Sequence, residues 1–185
     1  MIEITFVRHS EVEEGYIGKY NGHIDIGLSK KGLEDARELA KRIESNSYDI
    51  IYTSDLKRVK QTLQLLHRRE KVIISSDLRE KSWGKHEGMS FEEIEKSGIK
   101  YTTFLEWIDA LDGEDMLSYR QRVLDYFYTT ILRSDAKKIL IVTHAGVIRT
   151  IVASCKGIAL EESFSIKLDY SDTLILKCKE ETLHK

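Results

Sequence analysis

The sequence predicts an α/β protein, a three-layer sandwich in which a mostly parallel central sheet is flanked by helices. Short apolar runs rich in β-branched residues, typical of strands buried on both faces, alternate with amphipathic stretches at helical spacing. This alternation indicates βαβ units with right-handed crossovers, and such units build parallel sheets. The length of 185 residues fits one domain, so we expect a single domain over 1–185.

Strands and helices are predicted in turn along the chain. The predicted strands are 4–7, 49–53, 72–75, 139–143, 164–169 and 173–178. The predicted helical stretches are 30–45, a helix that Ser54 caps, 104–111, 116–131 and 147–155. Ser29 is the expected N-cap of the first helix, and Gly157 is expected to end the last one.

Composition and charge narrow the class of protein. Hydrophobic residues make up 41% of the chain and charged residues 32%, which is typical of a globular protein. The formal net charge of -2 argues against a partner that is nucleic acid or an anionic membrane, and no apolar run approaches the ~18 residues of a membrane span. The N-terminus has no signal-peptide pattern, and Cys155 and Cys178 have no metal-binding spacing, so we expect a cytoplasmic protein with reduced cysteines.

Two histidines occupy the same structural context. His9 and His144 each follow a predicted apolar strand, and the carboxyl ends of parallel strands meet at the edge where α/β proteins bind ligands. Arg8 precedes His9, and Arg58 begins the helix after another strand, so this edge gathers two histidines and two arginines. Such a cluster suits a dianionic phosphoryl group, because arginine binds its oxygens and a neutral imidazole can attack phosphorus. Taken alone, Arg8-His9 is also compatible with the start of a solvated loop.

At these residues the chain resembles a known family. Four segments, in the same order, are similar to the motifs of the histidine phosphatase superfamily, which is phosphoglycerate-mutase-like. They are Arg8-His9-Ser10, 54–62, Leu78-Arg79-Glu80 with Gly84 and Glu87-Gly88, and Thr143-His144-Ala145-Gly146. Segment 20–32 also resembles the family, so the likeness spans nearly the whole chain. It implies the phosphoglycerate-mutase-like form of the three-layer sandwich.

The resemblance implies three catalytic residues. His9 matches the nucleophile that becomes phosphohistidine. Glu80 matches the general acid that protonates the leaving oxygen and then, as a base, activates water. His144 matches the histidine that stabilises the transferring phosphoryl group. Without the motif, Glu80 is an ordinary carboxylate in a charged loop, so its role depends on its place in the motif.

The resemblance also implies the phosphate pocket. Arg8 and Arg58 would bind the phosphate, and the backbone at Asn21 and Gly22 would line the pocket. The superfamily implies neither a metal ion nor another cofactor. The sequence contains no His, Cys or Asp cluster at metal-ligand spacing that contradicts this.

Three positions depart from the family pattern. Ser10 stands where glycine is usual, and Gly15 stands where many members have asparagine. These departures put one hydrogen bond to the phosphate in question. The Gly-Gly-Glu-Ser-like segment that usually precedes the long helix is represented only by Gly113-Glu114-Asp115.

The region after Glu80 favours a hydrolase over a mutase. Mutases of this superfamily hold a second phosphate with basic residues on an inserted segment, whereas 89–115 is short and contains only Lys96 and Lys100 as basic residues. Trp83 stands where mutases share a tyrosine. We therefore expect a metal-independent histidine acid-type phosphatase that hydrolyses a small-molecule phosphomonoester.

The resemblance implies a small helical cap around 89–115, and the leaving group would contact this cap. Trp83 and His23 are candidates for the mouth of the site. Aromatic residues of the cap are further candidates, and for most of them core packing is the competing interpretation. These aromatics are Phe91, Tyr101, Phe104 and Trp107. His86, His67 and His184 are interpreted as exposed histidines without a role.

Within the phosphatases, 143–149 and 18–23 look like the α-ribazole-5′-phosphate phosphatase branch of cobalamin synthesis. Cofactor-dependent phosphoglycerate mutase and phosphoserine phosphatase are alternative activities. A pseudoenzyme that only binds phosphorylated partners is the alternative of another class, and the presence of every catalytic motif residue argues against it. The last strand pair offers an edge on which a homodimer could form.

Overall fold

The computed structural model describes residues 1–178 and confirms the predicted fold class. The strands are β1 (Ile2–Arg8), β2 (Ile50–Ser54), β3 (Val72–Ser75), β4 (Lys138–Thr143) and β5 (Thr173–Cys178). They form one sheet in the order β3-β2-β4-β1-β5. The neighbours from β3 to β1 pair in parallel, whereas β5 runs antiparallel to β1 at the edge.

The register of the two central strands aligns their carboxyl ends. Arg8 of β1 pairs with Thr143 of β4, so the next residues, His9 and His144, leave the sheet side by side. The N–H of His9 donates to the Thr143 carbonyl at 3.0 Å. On the other side of β4, β2 ends at Ser54, so this strand reaches the same edge.

Helices cover both faces of the sheet. They are α1 (Lys30–Ile43), α2 (Lys57–Leu65), α3 (Phe91–Glu95), α4 (Phe104–Ala110), α5 (Met116–Tyr126), α6 (Ala145–Lys156) and α7 (Leu160–Ser163), and α5 continues into a π-helical turn at Phe127–Ile131. Ile139 and Ile141 of β4 pack with α5 and α6, whereas Leu140 and Val142 pack with α1 and α2. Burial on both faces explains this continuous apolar run. No helix in the described part of the chain is long and apolar enough to cross a membrane.

The predicted strand at 164–169 is wrong. Turns and irregular backbone follow α7, and β5 takes the sheet edge beside β1. Side chains of the segment alternate between inward and exposed positions, which produced the strand-like pattern. The carbonyls of Ile166 and Leu168, however, accept hydrogen bonds from the side chains of Arg149 and Arg8. Alternation shows where side chains point, and it does not show whether a neighbouring strand pairs with the backbone.

The second helix begins later than predicted, because Ser54 is not its cap. Ser54 is the last residue of β2, and Leu56 is the N-cap without a side-chain hydrogen bond. The carboxylate of Asp25 accepts from the Lys57 N–H at 2.6 Å and so satisfies one donor of the first helical turn. This bond ties the loop before α1 to the start of α2.

The cap has a small core of its own. Trp83, Ile94, Trp107, Ile108 and Leu111 form a buried cluster under α3 and α4. Trp107 is fully buried, and its indole N–H donates to the hydroxyl of Tyr20 at 2.6 Å. Core packing is therefore the role of Trp107, whereas Phe104 remains 49% exposed.

Ser29 caps α1 as predicted, and its removal should destabilise the protein. Its Oγ accepts from the Gly32 N–H at 2.9 Å and donates to Glu11 Oε1 at 2.7 Å. We expect Ser29→Ala to lower the free energy of unfolding by about 1 kcal/mol, which lowers Tm by roughly 2–4 °C. Thermal denaturation measures this shift, and the exposed Ser47→Ala variant is the control. Equal Tm values for the two variants would show that the cap bond contributes nothing.

Candidate active site

His9 lies at the centre of the carboxyl edge and is 6% exposed. Its Nδ1 is 2.8 Å from the carbonyl oxygen of Ser10. A carbonyl oxygen only accepts hydrogen bonds, so Nδ1 carries the proton of the neutral ring. The lone pair therefore resides on Nε2, which is the nitrogen available to attack a bound group.

His144 stands against His9. Their ring centres are 5.2 Å apart in an edge-to-face arrangement, and His144 is 1% exposed. Its Nε2 is hydrogen-bonded to the Oγ of Ser54 at 3.1 Å. Its Nδ1 is buried and has no partner among the described residues. When the Ser54 hydroxyl donates, Nδ1 carries a hydrogen that an anion beside His9 can accept.

Arg8 is held by the loop that precedes β5. Its Nη1 donates to the Leu168 carbonyl at 2.5 Å, and its guanidinium carbon lies 4.2 Å from the ring centre of Tyr170. The Tyr170 ring is also 5.7 Å from the ring of His9. The Nε of Arg8 is buried without a partner in the described chain. Sequence reasoning missed Tyr170, because 170–172 carries only the signal of a turn.

Arg58 is fully buried in the first turn of α2. Its Nη1 donates to the Ile24 carbonyl at 2.8 Å, and its Nη2 donates to those of Asn21 and Gly22 at 3.1 and 2.7 Å. Its Nε has no partner in residues 1–178. Burial lowers its pKa to about 10, so the guanidinium remains charged at neutral pH. Arg58 thus shapes the 21–24 loop and supplies positive charge to the site.

Burial and positive charge keep both histidines neutral. Burial, Arg58 and Arg8 lower the pKa of His9 well below its usual value of 6.5. Burial, Arg58 and His9 do the same for the pKa of His144. A neutral imidazole is the nucleophilic form, so the surroundings favour the reactive state of His9.

The lowered pKa values of His9 and His144 predict a loss of stability in mild acid. The unfolded chain binds protons on these rings near pH 6.5, whereas the folded protein binds them only at lower pH. The histidines therefore make their full contribution to the free energy of unfolding above the unfolded-state pKa. Below that pH the free energy of unfolding decreases by up to about 1.4 kcal/mol per pH unit for each histidine. Urea unfolding at about pH 7.5 and 5.5 measures this loss, and His9→Asn should reduce it. Equal free energies of unfolding at the two pH values would contradict the prediction.

Glu80 projects from the loop after β3 and is bonded through both carboxylate oxygens. The hydroxyl of Tyr119, from α5, donates to its Oε1 at 2.8 Å, and the Gly146 N–H donates to its Oε2 at 2.9 Å. Burial and the carboxylate of Glu80 raise the pKa of Tyr119 well above its usual value, so the hydroxyl keeps its proton and donates. The sequence places Tyr119 only within the predicted helical stretch 116–131, and the bond from its hydroxyl to Glu80 is seen only in the fold.

Glu87 joins the loops on either side of the site. Its carboxylate accepts the backbone N–H groups of Gly22, His23 and Ile24 at 2.8, 2.7 and 3.2 Å, and that of Trp83 at 2.9 Å. The Gly22 N–H is therefore already bonded. A Cβ at this glycine would lie 2.0 Å from the Lys81 carbonyl, so this position requires glycine.

A cavity of about 150 Å³ opens beside His9. Its lining residues are Arg8, His9, Lys19, Tyr20, Asn21, Glu80, Trp83, Ala145 and Tyr170. Arg58 and His144 are not part of this lining, but the charge of Arg58 lowers the pKa of His9, and the ring of His144 lies 5.2 Å from that of His9. Gly22 and His23 do not line this cavity either. The Oδ1 of Asn21 is buried without a partner in the described chain, whereas its Nδ2 donates to the Tyr16 carbonyl at 2.6 Å.

Two of the three departures from the family pattern, Ser10 and Gly15, differ in their surroundings. Ser10 is fully buried, its N–H donates to the Oγ1 of Thr62 at 3.0 Å, and its Oγ is 2.7 Å from that of Ser171. The extra hydroxyl thus joins the end of β1 to the loop that carries Tyr170. Gly15 is exposed, and no atom would contact a Cβ added to it.

His86 is not the exposed histidine that the sequence suggested. It is 5% exposed, and its Nδ1 accepts the Asp112 N–H at 3.0 Å. A short 3-10 helix at Gly84–His86 turns the ring under the cap, which a loop without periodicity could not reveal. His67 is exposed as expected, and His184 lies outside the described residues. Within residues 1–178, no group of three or more His, Cys, Asp or Glu side chains could hold a metal ion.

A three-layer sandwich with paired histidines at the carboxyl edge of a parallel sheet is the arrangement of phosphoglycerate-mutase-like proteins. The chain belongs to the histidine phosphatase superfamily, branch 1, whose model matches residues 4–184. It is 27% identical to phosphoserine phosphatase 1 of Hydrogenobacter thermophilus over 97% of this chain and 88% of that one. It is 25% identical to the adenosylcobalamin/alpha-ribazole phosphatase of Escherichia coli over 91% and 86% of the two chains. The alpha-ribazole phosphatase of Shigella flexneri has the same fold, with a TM-score of 0.86 at 24% identity over 97% and 92%.

Proposed function

We propose that the protein is a phosphomonoester hydrolase that works through a phosphohistidine at His9. The observation that carries the proposal is the lone pair of a neutral His9 beside buried nitrogens that have no partner in the described chain. Those nitrogens are Nε of Arg8, Nε of Arg58 and Nδ1 of His144. Preorganised N–H donors stabilise the charge that spreads over the phosphoryl oxygens during transfer.

The reaction proceeds in two balanced steps. Nε2 of His9 forms a bond to phosphorus while the ester P–O bond breaks, and Glu80 gives its proton to the leaving oxygen. Water then attacks phosphorus and gives a proton to Glu80, the P–N bond breaks, and His9 returns to its neutral form. Neither step uses a metal ion or a cofactor.

Hydrolysis of p-nitrophenyl phosphate in EDTA tests this proposal. Purified protein should release nitrophenolate without added metal, and rapid quenching should trap a phosphoprotein that is acid-labile and stable in alkali. Phosphate binding without turnover of any monoester would identify the pseudoenzyme instead. Turnover that EDTA abolishes would overturn the metal-independent mechanism.

Two physiological substrates are the first candidates, since the relatives include an alpha-ribazole phosphatase and a phosphoserine phosphatase. The apolar lining of a cavity next to the site supports a leaving group with a bulky body. Isomerisation of 3-phosphoglycerate in the presence of 2,3-bisphosphoglycerate would overturn the hydrolase proposal in favour of a mutase.

A further inference from the structure

A second cavity, of about 190 Å³, adjoins the one beside His9. The two cavities share four lining residues, which are Tyr20, Glu80, Trp83 and Ala145. Apolar side chains of the cap and of α5 to α7 supply much of its wall, namely Phe104, Ile108, Met116, Leu160 and Phe164. Because Glu80 borders both spaces, the second cavity is open to an alcohol that is bonded to phosphorus through the oxygen that Glu80 protonates.

Two cations line this apolar space. Lys81 is 1% exposed, and its Nζ lies 4.4 Å from the ring centre of Trp83 and 3.4 Å from the Ser82 carbonyl. Arg149, on α6, donates from Nε and Nη2 to the Ile166 carbonyl at 3.4 and 3.1 Å. Each side chain thus has a carbonyl or an aromatic ring as its partner.

Neither cation forms an ion pair with a carboxylate in the described part of the chain. Burial lowers the pKa of both Lys81 and Arg149. The carboxylates of Glu80, Glu114, Asp109 and Asp115 raise the pKa of Lys81, and that of Glu80 raises the pKa of Arg149, although none lies within ion-pair distance. Burial of a cation that no carboxylate contacts is destabilising, and an anion bound beside it offsets that penalty. Apart from the catalytic Glu80, the charged residues of this largely apolar wall are two cations without a contacting carboxylate, so the cavity is suited to a ligand with an apolar body and a negative group.

We propose that Lys81 and Arg149 select phosphomonoesters whose alcohol carries an anionic group, a carboxylate or a second phosphate, on an apolar body. The inference rests on the proposed function, and it concerns the leaving group and not the transferred phosphoryl group. It separates the two candidate substrates, because the alcohol of phosphoserine carries a carboxylate and the α-ribazole nucleoside carries no anionic group. The apolar wall favours a body larger than that of serine.

Matched aryl phosphates test the selection. The substrates are 4-carboxyphenyl phosphate, 1,4-phenylene bisphosphate and the neutral 4-carbamoylphenyl phosphate, which has the shape of the carboxylate. The wild-type kcat/KM should be about 10-fold to 100-fold higher for an anionic substrate than for the amide, the effect of one charge-assisted hydrogen bond. The two anionic substrates show whether a carboxylate or a phosphate is preferred.

The variants Lys81→Met and Arg149→Gln should each reduce that selectivity ratio by about tenfold. The exposed Lys85→Met variant should keep the wild-type ratio, and Tm values identify any variant that fails to fold. Equal kcat/KM for the carboxylate and amide substrates in the wild-type protein, or an unchanged ratio in both folded variants, would overturn the inference. Absence of hydrolysis of all three substrates would instead overturn the proposed function.

Discussion

Replacement of His9 by asparagine should reduce the turnover of p-nitrophenyl phosphate by roughly 10⁴-fold or more, as expected when a covalent nucleophile is removed. The amide occupies similar space but lacks the imidazole lone pair, so the phosphoprotein should disappear together with the activity. Steady-state kcat and mass spectrometry of rapidly quenched protein measure the two losses.

The exposed His67 provides the matched control, because its backbone adopts a φ of 50°, a conformation that asparagine tolerates well. The His67→Asn variant should retain wild-type turnover and wild-type phosphoprotein. Appreciable turnover in folded His9→Asn protein would overturn the mechanism, because hydrolysis would then proceed without a phosphohistidine at position 9. Loss of activity in both variants would point to misfolding, which a Tm measurement detects.

Replacement of Glu80 by glutamine should cost roughly 10²-fold to 10⁴-fold in kcat with phenyl phosphate, because an amide gives no proton to the leaving oxygen. The first step with p-nitrophenyl phosphate should suffer much less, since nitrophenolate leaves without a proton. Glu80 also activates water in the second step. The variant should therefore release about one equivalent of nitrophenolate in a burst and accumulate phosphohistidine.

Stopped-flow absorbance and quenched-flow trapping distinguish these steps. The exposed Glu92→Gln variant should show no burst and an unchanged rate. Equal losses for both aryl phosphates in the rate of the first step, the phosphorylation of His9, would exclude Glu80 as the acid. Glutamine also disturbs the bonds from Tyr119 and Gly146, so Glu80→Ala should be measured beside it, with the same dependence on the leaving group expected.

Sequence reasoning predicts the fold well because the buried strands are continuous apolar runs. It also predicts the juxtaposition of His9 and His144, since parallel register follows from βαβ order. It fails at 164–169, where inward and outward side chains alternate without a strand partner. The difference is physical, because the pairing of backbone groups depends on distant residues such as Arg8 and Arg149 that no local pattern reports.

The active site likewise combines features that the sequence predicts with features that only the fold reveals. Motif positions single out Arg58, yet its bonds to three loop carbonyls and its place outside the cavity lining follow only from the fold. Tyr170 and Tyr119 carry no motif in this sequence. Tyr170 contacts Arg8, which lies more than a hundred residues away in the sequence, and Tyr119 contacts Glu80, which lies about forty residues away. Local spacing holds no information about such encounters.

The carboxylate of Glu87 has a consequence for ligand association. By accepting four backbone N–H groups from the two loops, it fixes their conformation before any substrate arrives. Ordering these residues carries an entropic penalty of about 1–2 kcal/mol each, and it is incurred once, when the chain folds. A phosphomonoester therefore meets a preorganised wall, and its binding free energy is not diminished by the need to order that wall in every catalytic cycle.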